Sequence, residues 1–299
     1  MTTPEISVIV PTRARMTRAP LLLRALDSIT SQCGVHAIPI VVVNGGEQDE
    51  TLVDRLRSTS PVLVLDPADA GLPAALHAGL ARVDTPFVTS LDDDDVLLPG
   101  ALAVRHAALT ADAGVDVVVT NGFRRLDGRD DLLVPDPERV RRDPLRALFD
   151  GNWLLPGSWL ARTAAVAPWL YDRMPPYLEN TYLALRFASE LRMRYLDEPT
   201  VVWDHGSPDR LSRSLAYLEG QPASLARLLA LPLPLPPAIR GLLRQRLRLA
   251  WHALANESLE RGDLSLAMRH HLRTVAQRGG WRHLPFLRHV VAAWWHARN

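Results

Sequence analysis

Four consecutive aspartates, Asp92 to Asp95 in the segment SLDDDDVLLP, are the densest chemistry in the chain. They follow directly on Phe87 to Leu91, a short apolar run of strand character. Adjacent carboxylates repel one another, and at a strand end they are costly unless water or a cation neutralises them. Hard divalent cations take oxygen ligands, and Mg²⁺ usually shares them between one or two carboxylates and substrate phosphates. Mn²⁺ suits the same ligands. An Asp-x-Asp at the end of a buried strand therefore suits a metal–diphosphate, whereas a solvated acidic turn is the simpler reading.

The elements that must position these carboxylates alternate. Apolar strand signals at Ile6 to Val10, Ile40 to Val43, Val62 to Leu65 and Phe87 to Leu91 are separated by helical spacing at Leu21 to Ser31, Leu52 to Leu56 and Leu72 to Val83. Such alternation predicts an α/β fold: one Rossmann-like, mostly parallel sheet flanked by helices. In sheets of this kind ligands sit outside the carboxyl ends of the strands. Pro11, Thr12, Arg13, Asn44 and Asp92 to Asp95 all fall there. Further on, Val115 to Thr120, Trp159 to Arg162, Met193 to Leu196 and Thr200 to Trp203 read as short strands, and Thr181 to Leu191 as an amphipathic helix. The last third is helical around the extended connector LPLPLPP, Leu231 to Pro237. The expected domains are 1–215 and a helical extension, 216–299.

Composition narrows the chemistry. The 299 residues carry 34 basic and 33 acidic side chains, and no lysine is among them. A Schiff-base lysine, a P-loop lysine and a kinase ATP lysine are thereby excluded. Near-zero net charge argues against a nucleic-acid binder. Cys33 stands alone, which excludes an internal disulfide or a cysteine-rich zinc cluster. With no secretory signal or membrane span in view, the expected location is cytoplasmic.

Several blocks, in order, resemble family-2 glycosyltransferases of the A-type fold: SVIVPTRAR, VVNGGEQDET, GLPAALHAGL, VDTPFVTSLDDDDVLLP, ENTYLALRFA and VVWDHGSPDRLSRS. The resemblance covers roughly residues 5 to 215. It implies an inverting enzyme that moves a sugar from a nucleotide-diphosphate donor, UDP- or dTDP-linked, to an acceptor hydroxyl. The acceptor would be a glycan, a lipid-linked sugar or a small molecule.

The resemblance also assigns roles. Pro11, Thr12, Arg13, Asn44, Asp92 and Asp93 would grip the nucleotide, and Asn44 stands where the family usually has a base-contacting Asp. Asp94 is the principal metal ligand for Mn²⁺ or Mg²⁺, with Asp92 and His205. Arg210 and Arg213 would form a lid over the diphosphate. Leu76 and His77 replace a family Arg and Asn. The family's base is the Asp of a Glu-Asp pair; here the pair is Glu179-Asn180, and an amide cannot accept the proton. Glu179 becomes the candidate base, with Asp172 in reserve. The alternative is a nucleotide-sugar-binding pseudoenzyme. A sugar nucleotidyltransferase ranks lower, because the glycine-rich opening loop with lysines is missing.

Three lesser signals are structural in the first instance. His270-His271 is expected on the helix surface, because adjacent helical residues point about 100° apart and chelate poorly. Trp153 and Trp159 can fill the core or serve as a sugar platform. Leu284, Leu287, Val291, Trp294 and Trp295 fall on one face of a terminal helix. That face is expected to pack against the protein; peripheral contact with the inner face of a membrane is the alternative.

Overall fold

The computed structural model describes residues 5–167, 169–204 and 214–296. His205, Arg210 and Arg213 lie outside them. The chain forms two compact units, Met1–Met174 with Glu179–Ser207, and Pro175–Leu178 with Pro208–Asn299.

The first unit is α/β, as read. Its elements in order are β1 (Ile6–Thr12), α1 (Ala19–Thr30), β2 (Ala37–Val43), α2 (Glu50–Arg57), β3 (Val62–Val64), α3 (Leu72–Leu80), β4 (Phe87–Ser90), β5 (Val96–Leu97) and α4 (Ala101–Ala111). They continue with β6 (Val117–Leu126), β7 (Arg129–Leu132), α5 (Pro137–Arg142), α6 (Pro144–Asp150), β8 (Trp159–Arg162), α7 (Thr163–Val166), α8 (Glu179–Glu190) and β9 (Met193–Asp204). One sheet runs β3-β2-β1-β4-β8-β6-β9-β5, and β7 pairs with β6. The strands β3, β2, β1 and β4 are mutually parallel. In the other half β8 runs antiparallel to both β4 and β6, while β6 and β9 are parallel. All seven residues of β1 are buried, as a central strand covered by helices on both faces requires.

Pro11 explains how the crevice opens. Residues two apart in a strand direct their amide groups to the same side. The Ile9 carbonyl accepts from Leu91 N–H at 3.0 Å on the β4 side. Pro11 faces the same side one step later, where the chain has left β4 for the aspartates. Its missing N–H therefore costs no ladder bond.

Two expected short strands join as β9. Pro199, between them, pairs opposite Asn121 beside a register shift. Trp153 and Trp159 are fully buried, so they are core and not a sugar platform.

The second unit contains α9 (Leu215–Ala230), α10 (Pro237–Glu260), α11 (Leu264–Ala276), a 3₁₀ segment (Gly280–Phe286) and α12 (Leu287–His296). In the connector Leu231, Leu233 and Leu235 are buried while the intervening prolines are exposed, an extended alternation. His270 and His271 correct the surface expectation, since both are buried. Because α11 packs against α10 on one side and the 3₁₀ segment and α12 on another, both rings find neighbours: His270 lies against Trp251 at 5.7 Å and His271 against Phe286 at 5.2 Å. The terminal helix corrects a second expectation. It packs through Val290, beside Phe286 and Ala255, and leaves the predicted face exposed.

Gly79 sets the approach of α3 to the sheet. A Cβ there would overlap the Ile9 side chain and lie 3.2 Å from Val42 Cγ2, both fully buried. Gly79→Ala gains at most about 1 kcal/mol of helix propensity. Overpacking typically costs about 1–3 kcal/mol. The variant should therefore unfold at lower urea concentration, with an unchanged dependence on denaturant.

Candidate active site

Past β4 the chain turns tightly, with the Asp95 N–H donating to the Asp92 carbonyl at 3.2 Å. Asp93 and Asp95 point into the protein; Asp92 and Asp94 are half-buried at the rim. Each inward carboxylate has a stated task. Asp93 accepts from the Thr12 hydroxyl at 2.7 Å, and the same hydroxyl accepts from Ala14 N–H at 3.0 Å. Asp95 accepts from Asp204 N–H at 3.0 Å, tying the turn to the end of β9.

The positive charge comes from arginine. Arg18, at the turn leading into α1, spans Asp93 at 2.7 Å and Asp94 at 3.0 Å. Burial by itself would lower its pKa, but the hydrogen bonds and charges of both carboxylates outweigh that and hold it above its ordinary value. Arg24 donates to the Asp94 carbonyl at 3.1 Å and approaches the Asp204 carboxylate at 3.5 Å. Neither arginine was singled out by sequence. With lysine missing, the cations flanking β1 were the available signal, but spacing alone could not choose among Arg13, Arg15 and Arg18.

Asp92 carries the strain of the cluster. Burial, then the charges of Asp94, Asp93 and Glu179, push its pKa up to about 8; Arg18 opposes them only in part. Glu179, the first residue of α8, is therefore close enough to act electrostatically on the aspartate turn. Tyr171, buried beside it, is raised by burial, with Ser90 lowering and Asp92 raising the value. The reserve carboxylate Asp172 is exposed, 4.0 Å from Arg173.

Among the described residues, Asp92, Asp94 and Asp95 place one oxygen each within 4.8 Å of one another. An all-oxygen donor set of clustered carboxylates fits a hard divalent cation. Asp95, which the sequence reading left aside, joins Asp92 and Asp94 here; Asp93 is held by Thr12 and Arg18.

The nucleotide candidates divide. Arg13 is exposed at the end of β1, whereas Thr12 is buried with its hydroxyl engaged by Asp93. The Asn44 Oδ1 accepts from Gly71 N–H at 2.6 Å, fastening β2 to the start of α3. The Asn44 Nδ2 is the group left to donate. Leu76 is buried and His77 exposed.

These parts, a parallel crevice ending in an acidic turn, define an A-type glycosyltransferase fold. The model of the family described as Glycosyl transferase family 2 matches residues 7–154. Residues 7–154 thus form a glycosyl transferase family 2 domain. An uncharacterized glycosyltransferase of Rickettsia prowazekii (strain Madrid E) is 28% identical over 144 residues, which is 48% of this chain and 44% of that protein. The alignment thus spans less than half of either. Two solved structures share the fold. S. aureus TarS 1–349 in complex with UDP-GlcNAc has a TM-score of 0.55 at 18% identity, covering 83% of this chain and 72% of that one. The mannosyltransferase PcManGT from Pyrobaculum calidifontis, in complex with GDP-Man and Mn²⁺, has a TM-score of 0.53 at 19% identity, covering 98% and 86%.

The Asp92 shift has a stability consequence. Its folded-state pKa lies above the unfolded value, so the folded protein binds the proton more tightly. The corresponding stability is present below about pH 4 and is lost as pH rises toward 8. In cation-free buffer, Asp92→Asn should melt above the wild type at about pH 8 and converge with it toward about pH 4, measured by calorimetry across that range.

Proposed function

We propose that this chain transfers a sugar from a nucleotide-diphosphate donor to an acceptor hydroxyl, with inversion at the anomeric carbon and with a divalent cation. The observation that carries this reading is the Asp92–Asp94–Asp95 oxygen cluster, with the Glu179 charge acting on Asp92.

In this reading Asp94 and Asp92, with Asp95, hold Mn²⁺ or Mg²⁺, and His205 follows β9 as a further ligand. When bound, the cation neutralises charge on the departing diphosphate. Arg13 and the Asn44 amide take the nucleotide, Arg13 pairing with phosphate or stacking on the base. The engaged Asn44 oxygen favours a base that offers a carbonyl acceptor, as uracil and thymine both do. Thr12 acts through Asp93, and Pro11 shapes the wall. Arg210 and Arg213 would close over the diphosphate and exclude water. Glu179 accepts the proton of the acceptor hydroxyl while that oxygen bonds to the anomeric carbon and the bond to the diphosphate oxygen breaks. The acceptor is a hydroxyl on a glycan, a lipid-linked sugar or a small molecule.

Asn180 favours a second reading, in which the donor binds without efficient turnover. The two separate cleanly. Nucleotide sugars of uridine, thymidine and guanosine should raise the melting temperature only with Mn²⁺, by the equivalent of about 2.7 kcal/mol at a hundredfold excess over Kd. Asp94→Asn should abolish that shift. Glu179→Gln should keep it while lowering turnover by about 10²–10⁴-fold. Turnover that survives Glu179→Gln would remove Glu179 as the base. Binding with no turnover for any acceptor supports the second reading.

A further inference from the structure

The C-terminal helical unit carries a surface that sugar transfer does not require. Leu264–Asn299 contains six arginines and no aspartate or glutamate. The preceding 263 residues hold the other 28 arginines and all 33 acidic side chains. The near-neutral chain is therefore divided into an acidic body and a cationic end.

That end also exposes Trp281, Leu284, Leu287, Val291, Trp294 and Trp295, each at 41–66% of its full accessibility. On α12, Leu287, Val291, Trp294 and Trp295 lie within about 100° of arc, while Val290 faces inward onto Phe286 and Ala255. Val290, about 40° from Trp294, is the buried edge of that face, whose other residues are exposed. Two shallow grooves, of about 710 and 690 Å³, flank the outer ridge and share Val291. Arg269 lines one and Arg288 the other. Arg282 lies over the Trp281 ring at 5.5 Å. Exposed aromatic and aliphatic side chains are thus edged by cations.

We propose that this ridge docks on an anionic lipid bilayer, with α12 lying in the interface. Tryptophan favours the headgroup boundary, and arginine pairs with acidic headgroups. No described helix is long and apolar enough to cross a membrane, so the contact lies along the surface. Charge decides against a second copy as the occupant. Two-fold self-association would set Arg269, Arg282 and Arg288 of one copy against the same arginines of the other, whereas acidic lipid neutralises them.

The test uses the full chain and sedimentation with vesicles of phosphatidylcholine, with or without about one-third phosphatidylglycerol. Binding should occur on the anionic vesicles, weaken as salt rises, and blue-shift the tryptophan emission. Replacing Arg282 and Arg288 by glutamate should weaken binding by at least about 25-fold, since each cation at such a surface contributes about fivefold. Leu287→Ser with Trp295→Ser should abolish the emission shift. Unchanged circular dichroism in both variants shows that the unit remains folded. Equal binding to neutral and anionic vesicles, or no binding by a folded wild type, overturns the proposal. So does a concentration-dependent dimer that Leu287→Ser with Trp295→Ser dissolves, because a second copy then covers the ridge. None of these readouts depends on transferase activity.

Discussion

The structure depends on keeping four adjacent carboxylates at the end of a buried strand. Like charges in a half-desolvated turn do not persist without compensation. Here compensation is divided. Thr12 and Arg18 hold Asp93, the Asp204 amide holds Asp95, and Arg18 reaches Asp94. The remaining imbalance falls on Asp92, whose pKa burial and the neighbouring carboxylates push up to about 8. Removing an acid would ease this imbalance. A cation would too, and it would bring phosphate with it.

That constraint explains the neighbouring elements. Pro11 lets β4 depart without an orphaned ladder partner. Gly79 brings α3 down onto β1 and β2, and Gly71 at its start bonds to Asn44 at the end of β2. Arg18 and Arg24 lie at and within the start of α1, so packing α1 on the sheet also delivers both guanidiniums to the turn. With no lysine in the chain, arginine alone supplies this charge, and a single Arg18 nitrogen, Nη2, bonds both Asp93 and Asp94.

The parallel half of the sheet was legible because buried strands write themselves as apolar runs, and the carboxyl-end rule then gathered Thr12, Asn44 and the aspartates. The antiparallel placement of β8 was not legible, since a four-residue run carries no direction. Thr12 was found, but its task was not: only the fold brings it to Asp93, 81 positions away. Arg18 was missed for the same reason. The burial of His270 and His271 escaped because helix periodicity identifies faces but not how many are covered. The tail face was read correctly as apolar. Its exposure was hidden, because Val290 and Phe286 satisfy the packing that the wider face appeared to demand.

In the proposed function the aspartate turn holds a divalent cation shared with a nucleoside diphosphate. Electron paramagnetic resonance of Mn²⁺ titrated into the protein, with and without UDP, tests it most directly, because the free-ion signal reports binding without any need for the acceptor. The signal should be quenched up to one ion per chain, and UDP should tighten the binding. A free-ion signal unchanged by the protein, with UDP present, would contradict it.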